Sequence, residues 1–256
     1  MACNIPNIEW NIVINLGIKC NILSVSREAK VRYFSSPFDN MDTVTGLVDT
    51  ANLMASKFEG YWDSKDDWVV VNEYAPRSNN EIIRNKIVYH RDTPKVYYPH
   101  FADAWFKETL SKSELTEWKT GNKLTIDPIW TDFKRVFKNR QDRLVALLES
   151  DNRVLFVRAD EPRQLKRVCN TNQQEHIEEF IYKLQSKYEN VGLMYLYCNN
   201  KKFQRRLRPT PWIYTECVPE SSNVNDILLK RLQSLSIAKR SSLEPYNFNR
   251  ECNNTE

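Results

Sequence analysis

Residues 154–197, VLFVRADEPRQLKRVCNTNQQEHIEEFIYKLQSKYENVGLMYLY, decide the fold. Val154-Leu155-Phe156-Val157 is a short continuous apolar run, the pattern of a strand buried on both faces. From Gln173 to Tyr188 the apolar side chains Ile177, Phe180, Ile181, Leu184 and Tyr188 recur at helical spacing, and Gly192 to Tyr197 is a second apolar run. Strand, helix, strand with short connections is a βαβ unit, and its right-handed crossover makes the two strands parallel. The class expected is therefore α/β, with a mostly parallel, Rossmann-like sheet flanked by helices.

Working outward, Ile129 to Glu149 carries the strongest helical pattern, with Phe133, Val136, Phe137, Arg140, Leu144, Leu147 and Leu148 on one face and Asp151-Asn152 as its stop. Residues Ser111 to Asp127 are polar and read as a surface loop. Trp68 to Val71, Ile82-Ile83, Lys86 to Tyr89 and Lys95 to Tyr98 read as short strands, a short-strand insertion over residues 60–99. Thr43 to Phe58 has a helix's spacing, with Asp42 as its candidate cap, and Val31 to Phe34 reads as a strand. Val224 to Leu235 supplies a last helix. One α/β domain over residues 1–240 and a disordered tail over 241–256 are expected.

Composition removes several function classes. Five glycines in 256 residues, with no GxGxxG and no Walker A sequence, argue against a Gly-rich phosphate loop. A net charge of +4 is low for a nucleic-acid binder. Six scattered cysteines without a CxxC pair point to reduced thiols and a cytoplasmic location, and three histidines without ligand spacing imply neither a metal nor another cofactor. The opening MACNIPNIEW lacks the basic and apolar regions of a signal peptide, and no apolar run approaches the ~20 residues that span a bilayer, so no membrane partner is expected.

One stretch joins geometry to reactive chemistry. Ile12 to Leu16 reads as a buried strand, Gly17 as a turn, and Cys20 as the start of a helix running towards Lys30. A thiol at a helix start meets free N–H groups and the positive end of the dipole, which stabilise thiolate. A nucleophile needs a base, and His100, held behind Pro99 among aromatic residues, is the candidate. Asp39, at the end of the turn Ser35-Ser36-Pro37-Phe38-Asp39, and Asp103 are the alternatives for orienting the imidazole. His90 reads as a surface residue at a strand end, and His176 as a solvated helix residue. The competing view of Cys20 is that it packs as a small apolar residue, the commoner fate of a free cysteine. A second signal is the run Lys201-Lys202-Phe203-Gln204-Arg205-Arg206-Leu207-Arg208. It follows a strand, and Arg205, Arg206 and Arg208 suit the phosphates of a nucleotide, such as a nucleotide-sugar, or of a nucleic acid; the competing view is a solvated loop.

Asn15-Leu16-Gly17-Ile18-Lys19-Cys20 resembles the S-L-G-x-x-C opening, and Ser36-Pro37-Phe38-Asp39 the P-F-D-W element, of a papain-like cysteine peptidase family of bacteria and large DNA viruses. Tyr98-Pro99-His100-Phe101, Phe137 to Leu144 and Val154 to Arg158 look like its later blocks, in the same order. The resemblance implies Cys20 as nucleophile, His100 as base, a peptide or amide substrate and, for a viral member, the host cytoplasm. The expected function is a cysteine hydrolase. Its alternatives are a glycosyltransferase-like or nucleotide-sugar-binding domain and a non-catalytic interaction protein.

Overall fold

The structure, a computed structural model, describes residues 8–16, 20–31, 36–38, 46–76, 82–94, 96–98, 110–159, 173–198, 212–218 and 222–238. In chain order the strands are β1 (Glu9–Trp10), β2 (Ile12–Asn15), β3 (Trp68–Pro76), β4 (Ile82–His90), β5 (Tyr97–Tyr98), β6 (Val154–Ala159), β7 (Val191–Cys198), β8 (Ile213–Val218) and β9 (Ser236–Ile237). The helices are α1 (Cys20–Glu28), α2 (Leu47–Ala55), α3 (Lys112–Thr120), α4 (Trp130–Leu148), α5 (Gln173–Gln185) and α6 (Val224–Gln233).

Strands β2, β6, β7 and β8 form a four-stranded parallel sheet in that spatial order, so the fold is mixed α/β. Among the described strands the order follows the chain without a reversal. The apolar runs are continuous because both faces of the sheet are covered. On one face Ile12, Ile14, Leu16, Val154, Phe156, Leu193 and Tyr195 join Ala51 and Met54 of α2, Leu144 and Leu147 of α4, and Phe180 and Leu184 of α5. On the other, Val13, Leu155, Val157, Met194 and Leu196 meet Val25 of α1 and Leu228 and Leu232 of α6. Among the described residues no helix is long and apolar enough to cross a membrane.

Strands β3, β4 and β5 form a separate antiparallel sheet. Two of the expected short strands, Ile82-Ile83 and Lys86 to Tyr89, are one nine-residue strand. Arg84 and Asn85 pair in register with Tyr74 and Glu73, so these polar residues continue the ladder. The loop expected over Ser111 to Asp127 is corrected by α3. Its start is a capping box: the Ser111 hydroxyl accepts from the Glu114 N–H at 3.3 Å and the Glu114 carboxylate accepts from the Ser111 N–H at 2.8 Å. Only Leu115 and Trp118 are buried on this helix, too few for a periodic signal. Lys86 of β4 reaches under its far end, donates to the carbonyls of Trp118 and Lys123, and lies over the Trp118 ring. Burial pulls that lysine's pKa down.

Strand β8 was not anticipated, because Glu216 interrupts its apolar pattern. That carboxylate is fully engaged. It accepts from Arg231 Nε at 2.6 Å and Nη2 at 2.7 Å, and from the Tyr214 hydroxyl at 2.6 Å. Expected helix Thr43 to Phe58 is described from Leu47, after Gly46, which offers no side-chain cap, and it ends at Ala55, short of Phe58, because Lys57 and Phe58 take positive φ of 55° and 58°. Asp42, the strand expected over 31–34 beyond Val31, and the tail 241–256 lie outside the described residues.

Two outcomes follow from this packing. A Cβ on Gly192 would overlap the Trp10 indole and stand 3.0 Å from the Trp212 carbonyl, so Gly192→Ala is expected to cost about 1–3 kcal/mol, read as a lowered urea midpoint at unchanged slope. The hydrogen bonds from Arg231, and then that from Tyr214, hold the Glu216 pKa below its ordinary 4.5. The stabilisation is therefore complete above about pH 4.5 and is lost as pH falls through the lower folded value, so Glu216→Gln should flatten that part of a Tm-against-pH curve.

Candidate functional site

The site is built from the carboxyl end of β2. Pairing continues one residue past the strand, with Leu16 N–H donating to the Val157 carbonyl at 2.8 Å, and α1 opens at Cys20 as the sequence predicts. The first N–H groups of a helix have no partner within it, and they carry its positive partial charge. No acidic residue stands in the first turn of α1 to offset that charge, and Arg27 complements the last turn. Asn15, the polar exception in β2, has a structural use. Its Oδ1 accepts from the buried Ser26 hydroxyl at 2.8 Å, which fixes α1 on the sheet while Val25 enters the apolar layer beside it.

The other segments named from the sequence are anchored close by in chain terms. Ser36 is buried, and its hydroxyl accepts from the Phe38 N–H at 3.0 Å. Phe38 is completely buried, directly before Asp39. Tyr98, two residues before His100, is buried against Phe133 and Phe137, with ring centroids at 5.4 and 4.7 Å. Its hydroxyl is hydrogen-bonded to Tyr61 and Gln141, and Gln141 Oε1 also accepts from the Trp62 indole. Burial pushes the Tyr61 hydroxyl up to about 12 and raises Tyr98 as well, so both stay protonated hydrogen-bonding groups. Leu16, Phe38 and Tyr98 belong to one apolar cluster. The approaches to Cys20, Asp39 and His100 thus share a core.

Cys20 is described as the first residue of α1, by its backbone alone. Asp39, His100, Asp103, Arg205, Arg206 and Arg208 lie outside the described residues, as does the side chain of His176. The basic segment belongs to residues 199–211, which connect the carboxyl end of β7 to β8.

Two residues carry more than their sequence context signalled. Arg158, penultimate in β6, is 2% exposed, with its guanidinium 6.0 Å from the Tyr195 ring centroid, and it puts a cation inside the carboxyl half of the sheet. The signal was present: it is the single charge in a six-residue strand. His90 is corrected from surface to core. Its register opposite Trp68 turns it inward, where it is 6% exposed, stacks on Tyr61 at 4.6 Å and meets the edge of Trp68 at 5.4 Å.

Compared with family models, with curated proteins and with solved structures, the chain matches none.

Proposed function

We propose that the chain is a cysteine hydrolase, a papain-like peptidase or amidohydrolase. The observation that carries this reading is the start of α1 at Cys20, at the carboxyl end of a buried parallel strand, in a first turn free of acidic residues. In the reaction the Cys20 sulfur adds to the amide carbonyl carbon, the oxyanion takes hydrogen bonds from first-turn N–H groups, and the carbon–nitrogen bond breaks. His100 holds the thiol's proton as imidazolium and passes it to the departing amine. It then takes a proton from the water that hydrolyses the thioester. Asp39 or Asp103 orients the imidazole.

The test is the pH dependence of Cys20 alkylation by iodoacetamide, resolved from the other five cysteines by peptide mass spectrometry. Cys20 is expected to titrate at least one unit below the ordinary thiol value of about 8.5, which makes it about tenfold more thiolate near pH 7. His100→Gln should shift that profile upward. A Cys20 that titrates at 8.5 or above, in a profile indifferent to His100, refutes the proposal.

A second reading, a nucleotide-sugar site, rests on the segment after β7, because the carboxyl ends of parallel strands are where α/β folds bind ligands. Arg205, Arg206 and Arg208 would hold the diphosphate. A nucleoside diphosphate at about millimolar concentration should then raise Tm by several degrees, and Arg205→Ala with Arg206→Ala should remove the rise; an unmoved Tm in the native chain sets the reading aside.

A further inference from the structure

The turn after β4 depends on a buried histidine in one protonation state. His90 Nδ1 accepts from the Asp92 N–H at 3.3 Å, and the His90 carbonyl accepts from the Thr93 N–H at 3.0 Å. The turn continues with Val96 N–H on the Thr93 carbonyl at 3.0 Å and the Tyr61 and Thr93 hydroxyls at 3.4 Å. A ring nitrogen that accepts carries no proton, so the neutral imidazole bears its hydrogen on Nε2. That atom is buried and has no hydrogen-bond partner among the described residues, as is the case for Trp68 Nε1 on the ring beside it. His90 therefore spends its one good polar contact on the Asp92 amide, and does so only while uncharged.

We propose that His90 is an acid-sensitive latch on the turn joining β4 to β5: a proton taken from solvent at Nδ1 converts the acceptor of the Asp92 N–H into a donor and unfastens the turn. The two N–H groups then oppose each other, so the contact is broken chemically. Strand β5 is the element that responds, because among the described residues it pairs with β4 at two positions, Val88 with Tyr98 and Tyr89 with Tyr97. The groups that set the threshold come from every side. Tyr61 stacks on the ring, Asp92 and Asp67 favour the charged form, Arg91 opposes it, and burial opposes it most, which puts protonation below the ordinary 6.5. The Tyr61 face offers the imidazolium a cation–π contact, so the charged state is attainable inside the fold. The latch stands independently of the thiol chemistry. Where that chemistry holds, the latch adds an acid limit, since β5 leads into His100.

Amide hydrogen exchange by NMR on the full chain tests this, with rates corrected for their intrinsic pH dependence. Between about pH 7.5 and about pH 4.5, protection of the Asp92 and Thr93 amides is expected to fall about tenfold in the native chain. It should stay constant in His90→Asn, whose Oδ1 replaces the acceptor and does not titrate. His100→Gln and His176→Gln should behave as the native chain does. An equal fall in His90→Asn, or unchanged native protection across this range, overturns the proposal. If His90→Asn does not fold, the native chain decides alone. The Asp92 amide shift must follow the same midpoint as the His90 ring, below 6.5. An amide that follows another midpoint, or none, overturns the proposal.

Discussion

A parallel ladder buried on both faces is the constraint from which the rest of this structure follows. With apolar layers on either side of β6 and β7, a polar side chain is admitted only where a partner waits, because an unpaired polar group inside such a layer costs more than a contact returns. Asn15 is admitted with Ser26, and Glu216 at the edge strand with Arg231 and Tyr214. The same constraint acts on shape. Gly192 leaves room for the Trp10 indole to lie on β7, and Trp10 meets Trp212 edge-on at 5.9 Å. Its carbonyl accepts from the Ala238 N–H at 2.8 Å beside the β1–β9 pair, so early and late segments are closed together against the sheet.

The antiparallel sheet is tied to this body by aromatic rings. Trp62 stacks on Trp68 at 4.7 Å, and Phe133 of α4 meets Trp62, Trp68 and Tyr98 edge-on at 5.6, 5.0 and 5.4 Å. Such contacts favour defined mutual angles, so they fix orientation as well as distance. Between the rings the Tyr61 and Tyr98 hydroxyls bond to each other and Tyr98 also to Gln141, whose Nε2 is left without a hydrogen-bond partner among the described residues. Helix α4 carries this cluster at one end and packs Leu144 and Leu147 on the parallel sheet at the other. Tyr98 of β5 packs directly on Phe133 and Phe137 of α4, which makes the turn that positions β5 a consequential place for a titratable residue.

What could be read in the sequence was whatever burial alone determines. The strand at Val154, the helices from Trp130 and Gln173 and the strand ending at Cys198 emerge from apolar periodicity, because each buries a regular face, and the start of α1 at Cys20 falls where the sequence places it. Where a local contact determines the structure, periodicity is silent. Helix α3 depends on Ser111, Glu114 and a lysine from another strand, and β8 on a carboxylate whose partners lie two and fifteen residues away. His90 was misread for a related reason: its flanks, Tyr89 and Arg91, look like a strand end at the surface, while its inward direction comes from the pairing with Trp68. The candidate site divides in the same way. The helix start was legible as pattern, and the buried Arg158 near the same end of the sheet was signalled only by its being the single charge in an apolar strand.

The two views of Cys20 differ in the sign of an electrostatic effect, which separates them more sharply than fold could. A thiol surrounded by aliphatic groups loses hydration of its charged form, so burial drives its pKa up; a thiol among free first-turn N–H groups gains a compensating field, so its pKa comes down. The field of a helix end fades within a turn and is cancelled by a carboxylate placed there. In α1 the turn that begins with Cys20 carries none, and Asn15 with Ser26 holds the helix against the strand that leads into it. The first turn's own residues therefore leave that downward influence uncancelled, and an opposing influence must come from side-chain packing.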